Sequence, residues 1–150
     1  MRAAVPRSIV PPPVDSALAP PDELDWRCLS HPSRPNGLLI GPRAATDAVL
    51  RQLQPSLRAP VLHWPREGAP WRTQQPAATL VLHDVGALLP AEQECLLAWL
   101  DAPGSRVQVL SCSTCRVFPL VQRGVFLEQL YYRLNYVLVL CGTPLRRDQP

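Results

Sequence analysis

The sequence predicts an α/β fold, a three-layer α/β/α sandwich around a mostly parallel sheet of five strands. Three observations lead there. From residue 37 onward, short apolar runs alternate with stretches of helical periodicity, the pattern of crossover units whose strands pair in parallel. The run in "ATLVLHD" is unbroken and that in "YVLVLC" nearly so, as befits strands covered on both faces. With 150 residues, 47% of them hydrophobic, the chain can bury one sizeable core, and one domain is the default.

The elements follow in order. "GLLIG" is a compact first strand. "ATDAVLRQLQ" spaces Ala45, Val49, Leu50 and Leu53 as one helix face and stops before Pro55. "APVLHW" is a second strand, and "PREGAPWRTQQP" a polar, proline-bounded loop. "ATLVLHD" is the third strand. "PAEQECLLAWLD" opens with proline and acids, as a helix start does, and puts Cys95, Leu96, Trp99 and Leu100 on one side. "RVQVLSC" and "YVLVLC" are the fourth and fifth strands, with "RGVFLEQLYYRLN" as the helical stretch between them. Ligands of such sheets bind beyond the carboxyl ends of the strands, which here means Gly41 to Asp47, His83 with Asp84, and Ser111 to Cys115.

Composition narrows the rest. The nineteen prolines are densest before residue 36, so residues 1–35 read as an extended or disordered arm and the folded part as starting near Gly37. The net charge of +3 comes from arginine alone, since the chain has no lysine, and the arginines are scattered, not gathered into the basic stripe that nucleic-acid binding calls for. No apolar run approaches the roughly 20 residues of a membrane span and no signal-peptide pattern opens the chain, which makes the cytoplasm the expected location. Five cysteines in such a chain read as thiols. Cys112 with Cys115 and Cys28 with His31 could supply four zinc ligands, but one pair closes a strand and the other lies in the proline-rich arm, so no metal is expected.

More specific is the stretch "RGVFLEQLYYRLN". Gly124, Phe126, Glu128, Leu130, Tyr131, Tyr132, Arg133, Leu134 and Asn135 follow the pattern G-x-F-R-x-D-L-Y-Y-R-L-N, with Glu128 answering its aspartate. "TLVLHDVGALLPAEQECLLAWL" follows T-L-F-L-D-E-I-x-x-L-x-x-x-x-Q-x-x-L-L-x-x-L, and "NGLLIGPRAATDAVLRQL" sits where a Walker A strand, loop and helix belong. "TPLRR" is similar to the P-L-R-E-R that leads into a helical lid. Together these pieces resemble the central AAA+ ATPase domain, the sigma-54 interaction domain, of bacterial enhancer-binding transcriptional activators. The resemblance spans residues 36–147, leaving 148–150 as a tail. It implies a P-loop NTPase (AAA+) type of sheet that stops before the helical lid.

What the resemblance implies about chemistry is loss. A P-loop wraps phosphates with glycine backbone and reaches them with a lysine. Here Gly41 keeps the first glycine, Thr46 stands at the last, Asp47 holds the lysine position and Arg43 is the one phosphate-seeking side chain nearby. Replacing attraction by repulsion at about 4 Å and an effective dielectric near 20 shifts binding by several kcal/mol, against about 8 kcal/mol for a micromolar ligand. His83-Asp84 replaces the Asp-Glu pair that holds magnesium and activates water, and magnesium prefers oxygen ligands. Thr114 occupies the sensor asparagine position, Leu127 the first arginine of the signature and Arg133 the second. The expected site is therefore a vestigial nucleotide loop (Gly41, Arg43, Thr46, Asp47, with His83 and Thr114) and vestigial catalytic positions (Asp84, Arg133). The expectation is no catalysis and no cofactor, with weak ATP and magnesium binding as the alternative. No segment resembles the GAFTGA loop that grips sigma-54, and Trp64 and Trp71 in that interval serve either a contact surface or the core. No DNA-reading module is visible. The implied partners are proteins: a related AAA+ subunit, the transcription machinery, or a second copy.

Overall fold

The computed structural model describes residues 26–73 and 77–142. Five strands, β1 (Gly37–Ile40), β2 (Val61–Trp64), β3 (Thr79–Leu82), β4 (Gln108–Ser113) and β5 (Val137–Leu140), form one sheet in the order β2-β3-β4-β1-β5, every neighbour parallel. The helices are α1 (Arg43–Leu53), α2 (Pro70–Thr73), α3 (Pro90–Asp101), α4 (Phe118–Gln122) and α5 (Glu128–Leu134).

The three layers are visible in the two cores. Leu80, Leu82 and Val109 face α3 and α5 through Leu96, Leu100, Leu130 and Leu134. Leu39, Val81, Leu110 and Val139 face α1 through Leu50 and Leu53. β3 and β4 are buried at every position, whereas the edge strands β2 and β5 are half-buried or exposed along much of their length. Truncating a fully buried leucine such as Leu80 or Leu96 in such a core costs about 2–5 kcal/mol.

α3 spans the residues its proline, acids and apolar spacing predict. Pro90 fills a first-turn position that needs no N–H, and the Glu92 carboxylate accepts the Leu89 N–H at 2.9 Å. Two further short helices form: α2, in the stretch that reads as a proline-bounded loop, and α4, between β4 and α5. Each has proline within its first turn, where proline is tolerated. α4 ends because Gly124 takes a positive φ of 76° and turns the chain toward α5.

The folded unit begins earlier than Gly37. Leu29, in a 3₁₀ turn at Cys28–Ser30, is fully buried. Gln108 at the foot of β4 donates to the carbonyls of Leu29 and Pro35, both at 2.8 Å, and Asn36 Oδ1 accepts the Val109 N–H at 2.8 Å. A boundary at residue 35 is thus corrected: the prolines around Leu29 carry one anchor into the core. The arm up to residue 25, the "TPLRR" stretch and the 148–150 tail lie outside the described residues. Trp64 and Trp71 are buried in the α3 face of the core, which settles their choice between surface and core.

Candidate functional site

Parallel strands bring their carboxyl ends to one side of the sheet, and there β1, β3 and β4 deliver their exits together. Arg43, Thr46 and Asp47 on α1, His83 and Asp84 after β3, and Cys112 to Thr114 at the end of β4 line one cavity. All the expected nucleotide-loop positions except Gly41 converge on it, as does Asp84. Cys112 and Ser113 join them because β4 runs to Ser113.

The cavity holds about 20 Å³. That is room for a water molecule or so, against the roughly 300–1,000 Å³ of sites that take small molecules. The reason is the link from β1 to α1. Gly41 and Pro42 are the whole of it, because α1 begins at Arg43. Arg43, expected in the loop ahead of the helix, instead opens it, so that Arg43, Thr46 and Asp47 all lie in its first turns.

The neighbouring strand closes the remaining space. A Cβ on Gly41 would collide with the Cys141 carbonyl oxygen, and one on Gly142 would lie 3.0 Å from Ala45 Cβ and 3.3 Å from Pro42 Cδ. The exit of β5 therefore packs on the start of α1. Gly41 also donates its N–H to the Ser113 carbonyl at 3.0 Å, and Cys141 donates to the Ile40 carbonyl at 2.8 Å. The glycine at 41 serves strand contact.

Each lining group has an assignable state. The Thr46 hydroxyl, almost wholly buried, donates to the Arg43 carbonyl at 3.1 Å, a local bond within the helix. Burial pushes the Cys112 thiol up to about 12, with Cys141 and Asp47 acting the same way and a hydrogen bond with Thr46 partly opposing them. Cys112 is thus a protonated thiol at neutral pH and a weak nucleophile. Ser113 Oγ accepts the Cys115 N–H at 3.2 Å.

His83 is tied to His63, a residue the sequence gave no reason to single out. His63 Nδ1 and His83 Nε2 lie 2.9 Å apart, and the rings stack with centroids 5.2 Å apart at 18°. That hydrogen bond requires one ring to donate and the other to accept. Burial lowers the His83 pKa below 6.5, and the charges of His63, Arg66 and Arg43 add to the effect while Asp47 opposes it. The imidazole is neutral at pH 7, a poor partner for a hard cation. Asp84 adopts a left-handed backbone (φ 60°, ψ 59°), which an aspartate tolerates, and its carboxylate is exposed. Thr114 is exposed on the rim. The lining thus has two acidic side chains, Asp47 and Asp84, against one arginine, Arg43.

Arg133 is not part of this site, contrary to the sequence expectation. Its guanidinium pairs with the Asp101 carboxylate at the end of α3 and donates to the Leu100 carbonyl at 3.0 Å. Its own carbonyl accepts from Asn36, the residue before β1, at 2.9 Å. Both neighbours lie at the amino ends of the strands, because α5 runs back along the sheet before β5 starts. Counting from Gly124 also puts Gln129, not Glu128, at the signature's aspartate position, and Glu128 instead opens α5.

The four zinc-type ligands are likewise apart. Leu29, next to Cys28, is bonded to Gln108, four residues and about 13 Å along β4 from Cys112. Among the described residues no group of three or more His, Cys, Asp or Glu is placed to hold a metal ion. No helix among them is long and apolar enough to cross a membrane.

Gln93 is the polar residue that sequence reasoning passed over. Only 1% exposed, it donates to the carbonyls of Leu88 and Val125, both at 3.0 Å, and accepts the Leu127 N–H at 2.8 Å. It thereby fixes the entry to α5 against α3. Its signal was its match to the glutamine of the Walker B-type pattern.

No protein-family model matches the sequence, and no curated protein does. Solved structures do match in fold. NtrX from Brucella abortus, in a crystal containing ATP, superposes with a TM-score of 0.64 at 16% identity over 80% of this chain. This chain spans 34% of NtrX, about a third of its length. The P-loop NTPase domain of a sigma-54 activator from E. coli gives 0.60 at 17% identity, covering 83% of this chain and 93% of that one. Domain III of the replication initiator DnaA from Thermotoga maritima gives 0.50 at 19% identity, over 81% of this chain and 62% of that one. The fold is that of the P-loop, AAA+ type of α/β domain.

Proposed function

We propose that this chain is a non-catalytic AAA+-like domain of the sigma-54 activator type that acts by binding protein in bacterial transcription regulation. The observation that carries this reading is the 20 Å³ cavity at the position of a nucleotide site. Phosphoryl transfer is nearly all positioning and charge stabilisation. Here the loop that would position phosphate is two residues long, the strand beside it occupies the space, and the lysine position presents a carboxylate.

What remains intact is a sheet whose β5 edge pairs with no further strand among the described residues. Leu138 and Leu140 of β5 are 38% and 47% exposed, and Tyr132 and Tyr136 beside them 57% and 77%. β2, at the other edge, is bracketed by Pro60 and Pro65, a common device against strand pairing. The docking face is therefore the β5 side, and the partner a related AAA+ subunit or a component of the transcription machinery. The exposed face also suits a second copy of the chain.

Calorimetry with ATP and magnesium on the full chain tests the non-catalytic half of the proposal. Binding no tighter than millimolar and no phosphate release are expected. Micromolar binding overturns it in favour of the weak-ATPase alternative. Recovery of a partner with wild-type chain, lost on L138E/Y136E, tests the docking half.

A further inference from the structure

A groove of about 630 Å³ lies between α1 and the end of β2; it shares Arg43, Asp47 and His83 with the small cavity and runs away from it along α1 to Arg51 and Gln54. Arg43, Asp47 and Arg51 line it from the helix, and His63, Arg66 and His83 from the strand side. Among the described residues the ion pair is that of Arg133 with Asp101, and the guanidiniums of Arg43, Arg51 and Arg66 have none. Three cations thus face one carboxylate across an open channel. The next acid in the chain, Glu67, is turned back to accept the His63 N–H at 2.6 Å.

We infer that this groove binds an extended acidic segment of a partner protein. The spacing of the arginines selects the shape. Arg43 and Arg51 are eight residues apart on one face of α1, a rise of about 12 Å. One phosphate group cannot touch both. An extended peptide covers that distance in about four residues, so carboxylates three or four positions apart meet both arginines, with Arg66 on the facing wall. Nucleic acid is the poorer fit, because single strands are held by stacking on aromatic rings and the groove has no Phe, Tyr or Trp in its lining. Leu50 and Pro65 supply apolar contact for the side-chain stems.

The inference rests on the protein-binding half of the proposed function and adds to the β5 face a second contact, at the opposite, β2 edge of the sheet. Nucleotide binding would sink that reading, whereas the groove is tested by its own arginines and its own ligand. The test uses the full chain and a fluorescein-labelled dodecapeptide with glutamate at every fourth position and serine between, followed by anisotropy at low salt. Saturable binding is expected that weakens as salt rises and drops at least roughly ten-fold in R51E/R66E. R106E/R123E, which moves the same charge elsewhere on the surface, should bind as wild type. All four arginines are exposed, so matched melting curves for the variants are expected. Equal affinity in wild type and R51E/R66E, no binding at all, or tighter binding of an oligothymidylate dodecamer would overturn the proposal. So would tighter peptide binding in D22N/E23Q/D25N, which would assign the groove to the chain's own acidic stretch.

Discussion

Gly41 lies so close beneath the Cys141 carbonyl that no side chain fits between them. The contact joins the exit of β1 to the exit of β5, and it replaces the open turn that a phosphate loop makes in this kind of sheet. A methyl group there must displace backbone. Gly41→Ala is expected to cost about 1–3 kcal/mol, the range for overpacking a closed site, read as a lower urea midpoint with unchanged slope. An unchanged midpoint would mean that β5 yields easily and that the space could open.

On the proposed reading charge and shape both oppose nucleotide, and Asp47→Lys separates them. If repulsion were the barrier, the change would recover several kcal/mol of ATP binding at the effective dielectric used above. Position 47 lies on a helix between the cavity of about 20 Å³ and the open groove beside it, and the two-residue Gly41-Pro42 link leaves no loop to hold a phosphate against either. Calorimetry on D47K is expected to show no gain in ATP affinity. A gain of ten-fold or more would make electrostatics the governing term.

Gln93 joins three backbone groups that are buried with it. Gln93→Leu leaves the Leu88 and Val125 carbonyls and the Leu127 N–H without this partner, and each unpaired buried group costs about 1–3 kcal/mol, reduced where the loop relaxes toward water. A loss of about 3 kcal/mol is expected, with amide exchange speeding at residues 125–128 before the rest of the sheet. Uniformly faster exchange would show that Gln93 supports the whole fold and not this loop.

The strands and α3 were legible because their signals are local: an apolar run, or proline and acids ahead of a helical face. The two-residue link from β1 to α1 was not, since "GPRAATD" satisfies a loop pattern and a helix start equally well, and only the closeness of β5 decides between them. Arg133 was misplaced for a related reason. The signature fixes its position in the chain, but which end of the sheet it reaches depends on where α5 starts, and that is set by Gln93 and Gly124. Leu29 was hidden by composition, because the prolines around it say nothing of one side chain reaching the core. His63 and His83 are twenty residues apart in sequence and meet only because β2 and β3 pair in register, with His63 opposite Val81.

That histidine pair makes stability depend on pH. The His83 pKa is lowered in the fold, first by burial and then by His63, so the unfolded chain takes up a proton at higher pH than the folded chain does. Stability therefore falls as pH drops below the ordinary value of about 6.5 and keeps falling until the folded-state pKa is passed. Above about 7.5 the effect is absent. Melting temperatures are expected to be level from pH 7.5 to 8.5 and to decline from 6.5 toward 5. His63→Gln removes one neighbouring charge, so it should raise the His83 pKa, measurable by NMR titration of the ring protons, and flatten the decline. His83→Gln should flatten it further. An equally steep decline in H83Q would place the titrating group elsewhere, since the imidazole whose pKa the fold lowers would be gone.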